Sequence, residues 1–166
     1  MGTQCYAAMF ILRRELLDGC LFTPGIYFED TDWMPRMLCK AKRVASAEVV
    51  VYNYLLRKGS ITNAVEYNKK KKVLDDKMRL IEELQRQAKA LQERGKDNVW
   101  YGRMVADTTI SIITILGTQF YAERKNYLAK LKQMNIYPIQ LKNAKARLIN
   151  LSPRLTVELL HIKNKK

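Results

Sequence analysis

Few residues of this chain are suited to tight turns, because it has only 7 glycines and 4 prolines among 166 residues. A sheet needs a turn between neighbouring strands, and glycine and proline supply many of these turns. Apolar residues make up 48 % of the chain, which is enough for a core and argues against a wholly disordered protein. The composition therefore predicts a mostly helical fold.

Hydrophobic periodicity places the longest helices in the second part of the chain. From about Val65 to Arg94-Gly95, apolar residues recur at steps of three and four, as on one face of a helix; they are Leu74, Ile81, Leu84, Ala88 and Leu91. Another helix is predicted over 98–134 with an interruption at Gly117, and Pro138 and Pro153 mark two further helix starts.

The first part of the chain is predicted to mix helix and strand. Helices are expected over 6–17 and from Asp30–Asp32 to about Lys40, with Pro35 in the first turn. Residues 43–45 and 48–56 are rich in β-branched and aromatic side chains and predict a small β-hairpin. The predicted fold class is α+β and mostly helical. A first domain spans 1–64, and a basic helical region spans 65–166.

The positive charge is concentrated in the second part of the chain. The formal net charge is +14, with 8 Lys/Arg and 6 Asp/Glu in residues 1–60 but 22 and 10 in residues 61–166. Such an excess attracts nucleic acid, an anionic membrane surface or phosphorylated small molecules. A solvated helical face that keeps the protein in solution is an equally good interpretation.

Other features indicate a cytoplasmic protein. The uncharged run 108–122 is shorter than the roughly 20 residues of a spanning helix, so it predicts a core helix and leaves peripheral membrane contact open. Cys5, Cys20 and Cys39 have no metal-knuckle spacing and are expected to be reduced thiols. The single histidine, His161, is expected on the surface or in packing rather than as a metal ligand.

The segment 25–36, GIYFEDTDWMPR, concentrates the chemistry of the chain. Glu29, Asp30 and Asp32 are expected at the beginning of a helix, where unpaired N–H groups stabilise carboxylates. An ionised carboxylate accepts a proton from a hydroxyl, which is the task of a general base. Helix capping is the alternative role for the same residues.

The run GIYFEDTDWMPRMLCKAKRVASAEVVVYNYLLRKGSIT resembles the second half of the catalytic domain of family 2 glycosyltransferases of the GT-A type, which decorate bacterial surface polysaccharides. The resemblance covers residues 6–65. It implies transfer of a sugar, with inversion, from a nucleotide-diphosphate sugar to an acceptor hydroxyl of a saccharide or lipid-linked substrate. The helical remainder is similar to the variable C-terminal tails of such enzymes.

The resemblance also implies residue roles. Asp30 would be the general base, and Glu29 would contact the acceptor or orient that base. Trp33 and Asp32 would lie on the acceptor side, although Trp33 is equally suited to anchoring the helix in the core. Arg57 and Ser60 would lie in a turn that faces the donor diphosphate, or in a plain surface turn.

The sequence departs from the family in what precedes the acidic pair. Only 28 residues come before Glu29, too few for a nucleotide-binding βαβ core with its own D-x-D metal motif. Mn²⁺ or Mg²⁺ is expected for a complete enzyme, and no metal is expected on this chain, including at Asp30-Thr31-Asp32. The predicted hairpin would need a separate N-terminal half, a second copy or the chain's own helices to cover it.

Two further interpretations stay open. A basic helical module could bind nucleic acid or a membrane surface, but basic and aromatic residues do not interleave as a base-stacking surface requires. The sequence therefore argues against nucleic acid. Residues 73–94 could also form a short coiled-coil dimer, although packing within the domain suits about three heptads better.

Overall fold

The structure is a computed structural model, and it describes residues 6–50, 52, 53, 55 and 66–165. Six α-helices lie within these residues: α1 (Glu29–Lys40), α2 (Tyr67–Glu93), α3 (Val99–Thr118), α4 (Arg124–Gln133), α5 (Ala144–Leu151) and α6 (Pro153–Asn164). Short 3₁₀ turns occur at Ala7–Met9, Arg14–Leu17 and Tyr121–Glu123. The predominantly helical character predicted from the composition is confirmed.

The chain divides into two compact units within α2, between Asp76 and Lys77. The N-terminal unit holds α1 and the first part of α2, and the C-terminal unit holds the rest of α2 and the four later helices. The predicted domain boundary at residue 64 rests on the resemblance to a glycosyltransferase rather than on compactness, and it stays a prediction.

In the N-terminal unit, α1 is anchored by its buried face. Trp33, Met34 and Met37 are at most 4 % exposed, and they bury enough apolar surface to hold a helix of only three turns. The other end of α1 is fixed because Lys40 Nζ donates to the carbonyls of Leu16 and Asp18. The helix therefore packs against the 3₁₀ turn Arg14–Leu17.

In the C-terminal unit, the apolar helix α3 forms the centre of the core. Ten of its residues are buried, among them Ile112, Ile113 and Leu116, and it packs against α5 and α6. No helix among the described ranges is long and apolar enough to span a membrane. Leu80, Ile81 and Leu84 of α2 are covered within the chain itself, so the periodicity of α2 needs no coiled-coil partner.

Several helix boundaries were predicted correctly. Helix α2 ends at Glu93 before Gly95, whose φ of +67° suits glycine. The helix predicted over 98–134 is interrupted after Gly117, and Pro153 opens α6 behind the N-cap Ser152, whose hydroxyl accepts from Leu155 N.

The predicted β-hairpin was wrong for the residues that the structure describes. Positions 43–50, 52, 53 and 55 contain no strand, and Val44, Val49 and Val50 are 63–85 % exposed. A lone two-stranded hairpin is marginal in water, and no other strand among the described ranges is present to pair with it. The sequence predicted that a separate N-terminal half, a second copy or the chain's own helices would cover this segment. The chain's own helices do not cover its described apolar side chains.

Three local predictions also need correction. Residues 6–17 form two 3₁₀ turns rather than one helix, because most of their side chains are exposed and no apolar face is covered. Pro35 lies in the second turn of α1, where it cannot donate to the carbonyl of Thr31. After Pro138 the chain stays irregular, and α5 begins at Ala144 behind the N-cap Asn143.

Candidate functional site

The acidic pair Glu29-Asp30 begins α1 directly after two unusual backbone positions. Gly25 has a φ of +75°, and Phe28, the N-cap of the helix, has φ +65° and ψ +34°. A bulky residue in this left-handed region is strained, and such strain concentrates at functional sites. The turn fixes the direction in which α1 begins, and with it the position of the carboxylates of Glu29 and Asp30.

The contacts of the Asp30 carboxylate lie within its own helical turn. Its side chain is half-buried, and it accepts from the Thr31 hydroxyl at 3.4 Å and from the backbone N–H groups of Thr31 and of Asp30 itself. Burial, followed by the neighbouring charge of Glu29, raises the pKa of Asp30 above its ordinary value of 3.8. The direction of this shift is the one that a general base requires, because such a base works best when its pKa approaches the working pH.

Asp32 is held in an internal network instead. It is fully buried, accepts from the Thr23 hydroxyl at 2.7 Å and pairs with Arg36 Nη2 at 2.8 Å. Arg36 also donates to the carbonyl of Leu21 at 3.0 Å. These contacts tie α1 to the loop before it, and the acceptor-side role of Asp32 stays a prediction.

Trp33 is placed in the core of the N-terminal unit. It is 4 % exposed, its indole N–H donates to the carbonyl of Cys20 at 2.6 Å, and its ring centroid lies 4.6 Å from that of Phe22. These contacts favour the anchoring role that the sequence left open. Packing against an acceptor sugar would require the loop at Phe22 to move.

One contact to the acidic segment could not be found from the sequence. Asp76 of α2 accepts from the backbone N–H of Tyr27 at 2.9 Å and pairs with Lys72 at 2.6 Å. Lys72 also donates to the carbonyl of Gly25 and lies over the Tyr27 ring. The helical spacing of Lys72 and Asp76 predicts their pairing, but nothing local predicts a partner 49 residues away. Arg57 and Ser60 lie outside the described residues.

The single histidine of the chain contributes to packing, as expected. His161 of α6 stacks on Tyr121 with ring centroids 3.6 Å apart, and its Nδ1 lies 3.2 Å from the carbonyl of Gly117. Tyr121 donates to Glu158, which also pairs with Arg124 at 3.1 Å. The hydrogen bond from Tyr121, with help from Arg124, lowers the pKa of Glu158.

The described ranges hold no group of three or more His, Cys, Asp or Glu side chains arranged to bind a metal ion. Comparisons with known proteins found no matching family model, no similar curated protein and no similar solved structure.

Proposed function

We propose that this chain is the acceptor-side portion of an inverting glycosyltransferase of cell-surface polysaccharide synthesis, with Asp30 as its general base. The observation that carries the proposal is the contrast between two carboxylates on one helix. Asp32 is fully buried and ion-paired, whereas Asp30 is half-buried with a raised pKa. A carboxylate whose contacts are local, placed two residues after the strained Phe28, suits proton abstraction from a hydroxyl.

The proposal assigns the donor to another part of the enzyme. The described residues contain no β-strand, whereas a nucleotide-binding βαβ unit requires parallel strands. A separate polypeptide or further residues of a longer protein would bind the nucleotide sugar together with Mn²⁺ or Mg²⁺. Titration of UDP- and GDP-sugars with Mn²⁺ is expected to show no tight binding by this chain, and tight binding would refute this division.

Acceptor binding gives a direct test of Asp30. We expect saccharides with free hydroxyls to shift the NMR resonances of the Asp30 side chain in the wild-type protein. The Asp30→Asn variant should lose that binding, while Asp18→Asn, an exposed carboxylate of the same unit, should keep it. Equal binding by both variants would remove Asp30 from the acceptor site.

Five exposed apolar side chains that follow α1 are proposed as the surface that meets the donor-binding half or a second copy. Val44, Val49, Val50, Tyr52 and Leu55 are all more than half exposed, which favours a partner. Light scattering on the wild-type chain and on Val49→Lys/Val50→Lys tests the second copy. A monodisperse wild-type monomer, with these side chains still exposed, would contradict the prediction that a partner covers this surface.

A second function, attachment to an anionic membrane surface, is supported by the last two helices. Each of the two helices exposes apolar residues at helical spacing; they are Leu148 and Leu151 on α5, and Leu155, Leu159 and Ile162 on α6. Residues 120–166 carry 11 Lys/Arg and two Asp/Glu, and cations beside an apolar stripe suit anionic lipid. The proposed location is therefore the cytoplasm at the membrane surface, in keeping with the free thiols of Cys20 and Cys39.

Vesicle sedimentation tests this attachment. We expect binding to anionic vesicles, weaker binding to zwitterionic ones, and a clear loss for Leu155→Ser/Leu159→Ser. Leu21→Ser removes a leucine of the N-terminal unit that is even more exposed, at 76 % against 49 % for Leu155 and 47 % for Leu159, and should leave binding unchanged. If the paired variant binds like the wild type and heparin competes fully, charge alone would explain the attraction.

A further inference from the structure

The C-terminal unit contains an open cleft of about 720 Å³ beside α4 and the beginning of α6. Its lining includes four cationic side chains and no carboxylate; the cations are Arg124, Lys125, Lys132 and Arg154. A concave surface lined by one sign of charge concentrates ligands of the opposite sign. The cleft is therefore suited to an anion.

One face of α4 arranges these charges around an apolar surface. Lys125, Leu128, Ala129 and Lys132 all line the cleft, and their spacing of three, one and three residues places them on one side of the helix. The opposite side of α4 is fixed in the core by Tyr127 and Leu131, which are at most 1 % exposed. The two lysines lie about 10 Å apart along the axis, with the apolar pair between them.

The cations of the cleft are not equally available. Arg124 pairs with Glu158 and also donates to the carbonyl of Tyr121. Lys125 and Lys132 are exposed, and neither forms an ion pair with any residue in the described ranges. Arg154 is also exposed, but its charge acts on Glu158, where it helps to lower the pKa of that carboxyl. A bound anion would therefore take the two lysines as its main partners.

The opposite wall is fixed and contains a buried hydroxyl. Asn150 holds the irregular backbone at Ile139 through two hydrogen bonds of 2.8 and 3.0 Å, and Ile149 contributes apolar surface to the cleft. The hydroxyl of Tyr137, another lining residue, is buried without a hydrogen-bond partner. Burial raises the pKa of Tyr137 to about 12, so the hydroxyl stays protonated and able to donate.

We propose that this cleft binds an organic phosphate, with the phosphate held by Lys125 and Lys132 and the organic portion packed against Leu128, Ala129 and Ile149. Lysine ammonium groups bind phosphate as point charges, and the apolar pair between them favours an ester over a bare ion. The site belongs to the C-terminal unit, and it does not depend on the role of Asp30. Two sources share this chemistry, a soluble nucleotide and a phospholipid.

Calorimetric titration of the full chain distinguishes these sources. The probes are pyrophosphate, uridine monophosphate and monomeric dihexanoyl phosphatidic acid. We expect at least one organic phosphate to bind more tightly than pyrophosphate, since pyrophosphate lacks a portion that contacts the apolar surface. The tighter of the two identifies the source as a nucleotide or a lipid.

Charge-matched variants locate the site. Lys125→Gln/Lys132→Gln should weaken organic phosphate binding by about tenfold or more, because two contacts to a charged group are lost. The control variant Lys142→Gln/Lys145→Gln removes the same charge from exposed lysines outside the cleft lining. It should change the dissociation constant by less than about twofold, because salt screens charges at that distance.

Three results would overturn the proposal. The first is pyrophosphate binding as tight as that of both organic phosphates, and the second is an equal loss for the two double-lysine variants. The third is the absence of organic phosphate binding at millimolar concentration while circular dichroism shows the chain to be folded.

Discussion

Gly117 lies where α3 passes close to α6, and its replacement by alanine tests the packing of the C-terminal unit. A Cβ at this position would lie 2.5 Å from Leu160 Cβ and 3.1 Å from the carbonyl oxygen of Val157. Ordinary contacts of this kind begin at 3.4 Å. Both neighbouring atoms are on or next to the backbone, so no side-chain rotation relieves the overlap. The two helices must separate by roughly 1 Å at this point.

The expected loss of stability is the difference between two effects. Overpacking of a well-packed core costs about 1–3 kcal/mol, whereas alanine in place of glycine inside a helix contributes about 0.5–1 kcal/mol. Gly117→Ala should therefore lower the free energy of unfolding by about 0.5–2 kcal/mol. For a unit of this size, each kcal/mol corresponds to a decrease of about 4–8 °C in melting temperature.

Gly102 in the same helix provides the matched control. The nearest atom to a Cβ there is Oε1 of Gln140 at 3.9 Å, which is ordinary contact with a flexible side chain. Gly102→Ala should then show the helix-propensity effect alone and raise the free energy of unfolding by about 0.5–1 kcal/mol.

Urea unfolding, followed by circular dichroism at 222 nm and by the fluorescence of Trp100, measures both variants. Trp100 lies in α3 and reports on the C-terminal unit. The same glycine-to-alanine change should therefore lower the unfolding free energy at position 117 and raise it at position 102 of the same helix. If Gly117→Ala is as stable as Gly102→Ala, the close approach of α3 and α6 is wrong.

Three further predictions concern charged groups. Asp32→Asn should destabilise the N-terminal unit by about 1–3 kcal/mol, as measured by Trp33 fluorescence during urea unfolding. The control variant Asp18→Asn removes an exposed carboxylate and should leave the stability nearly unchanged. Equal loss of stability in the two variants would contradict the buried ion pair. Since the pKa of Asp30 is raised, its ionisation opposes folding, so Asp30→Asn should be more stable than the wild type at pH 7 and equal to it well below pH 3.8. In a Glu29→Gln background the difference in unfolding free energy that Asp30→Asn produces should be smaller. A difference in unfolding free energy that does not change with pH would refute the raised pKa. Burial lowers the pKa of Lys77 to about 8, so wild-type stability should rise between about pH 8 and 10.5 and the rise should be absent in Lys77→Met.

Helices were predictable where their signals lie within the helix itself. The period of Leu74, Ile81 and Leu84 predicts α2, and all three side chains are fully buried. Gly95 and Pro153 mark an end and a start because their backbone restrictions are local. The sequence therefore predicts the positions of these helices with an accuracy of a few residues.

The hairpin could not be predicted in the same way. Valine and tyrosine favour a strand only where neighbouring strands and a covered face are available, so their preference depends on tertiary context. Val49 and Val50 have the right side chains, but the described residues supply no sheet for them. The same limitation hides the contact of Asp76 with Tyr27 and the lining of the cleft, which require residues far apart in sequence to meet.

The spacing of Glu29, Asp30 and Asp32 does not show which of these carboxylates has a structural role. The contacts of Asp30 and Asp32 in the structure distinguish these two. A divalent metal at Asp30-Thr31-Asp32 would need Asp32 Oδ2, which already accepts from Thr23 and pairs with Arg36. Removing this carboxylate from Arg36 would leave a partly buried cation without its partner, which is strongly unfavourable. Asp30 carries no such cost, because it accepts from the hydroxyl and the backbone of the neighbouring Thr31 and has no ion pair among the described residues. The fold therefore uses Asp32 to hold α1 in place, whereas the contacts of Asp30 stay within its own helical turn.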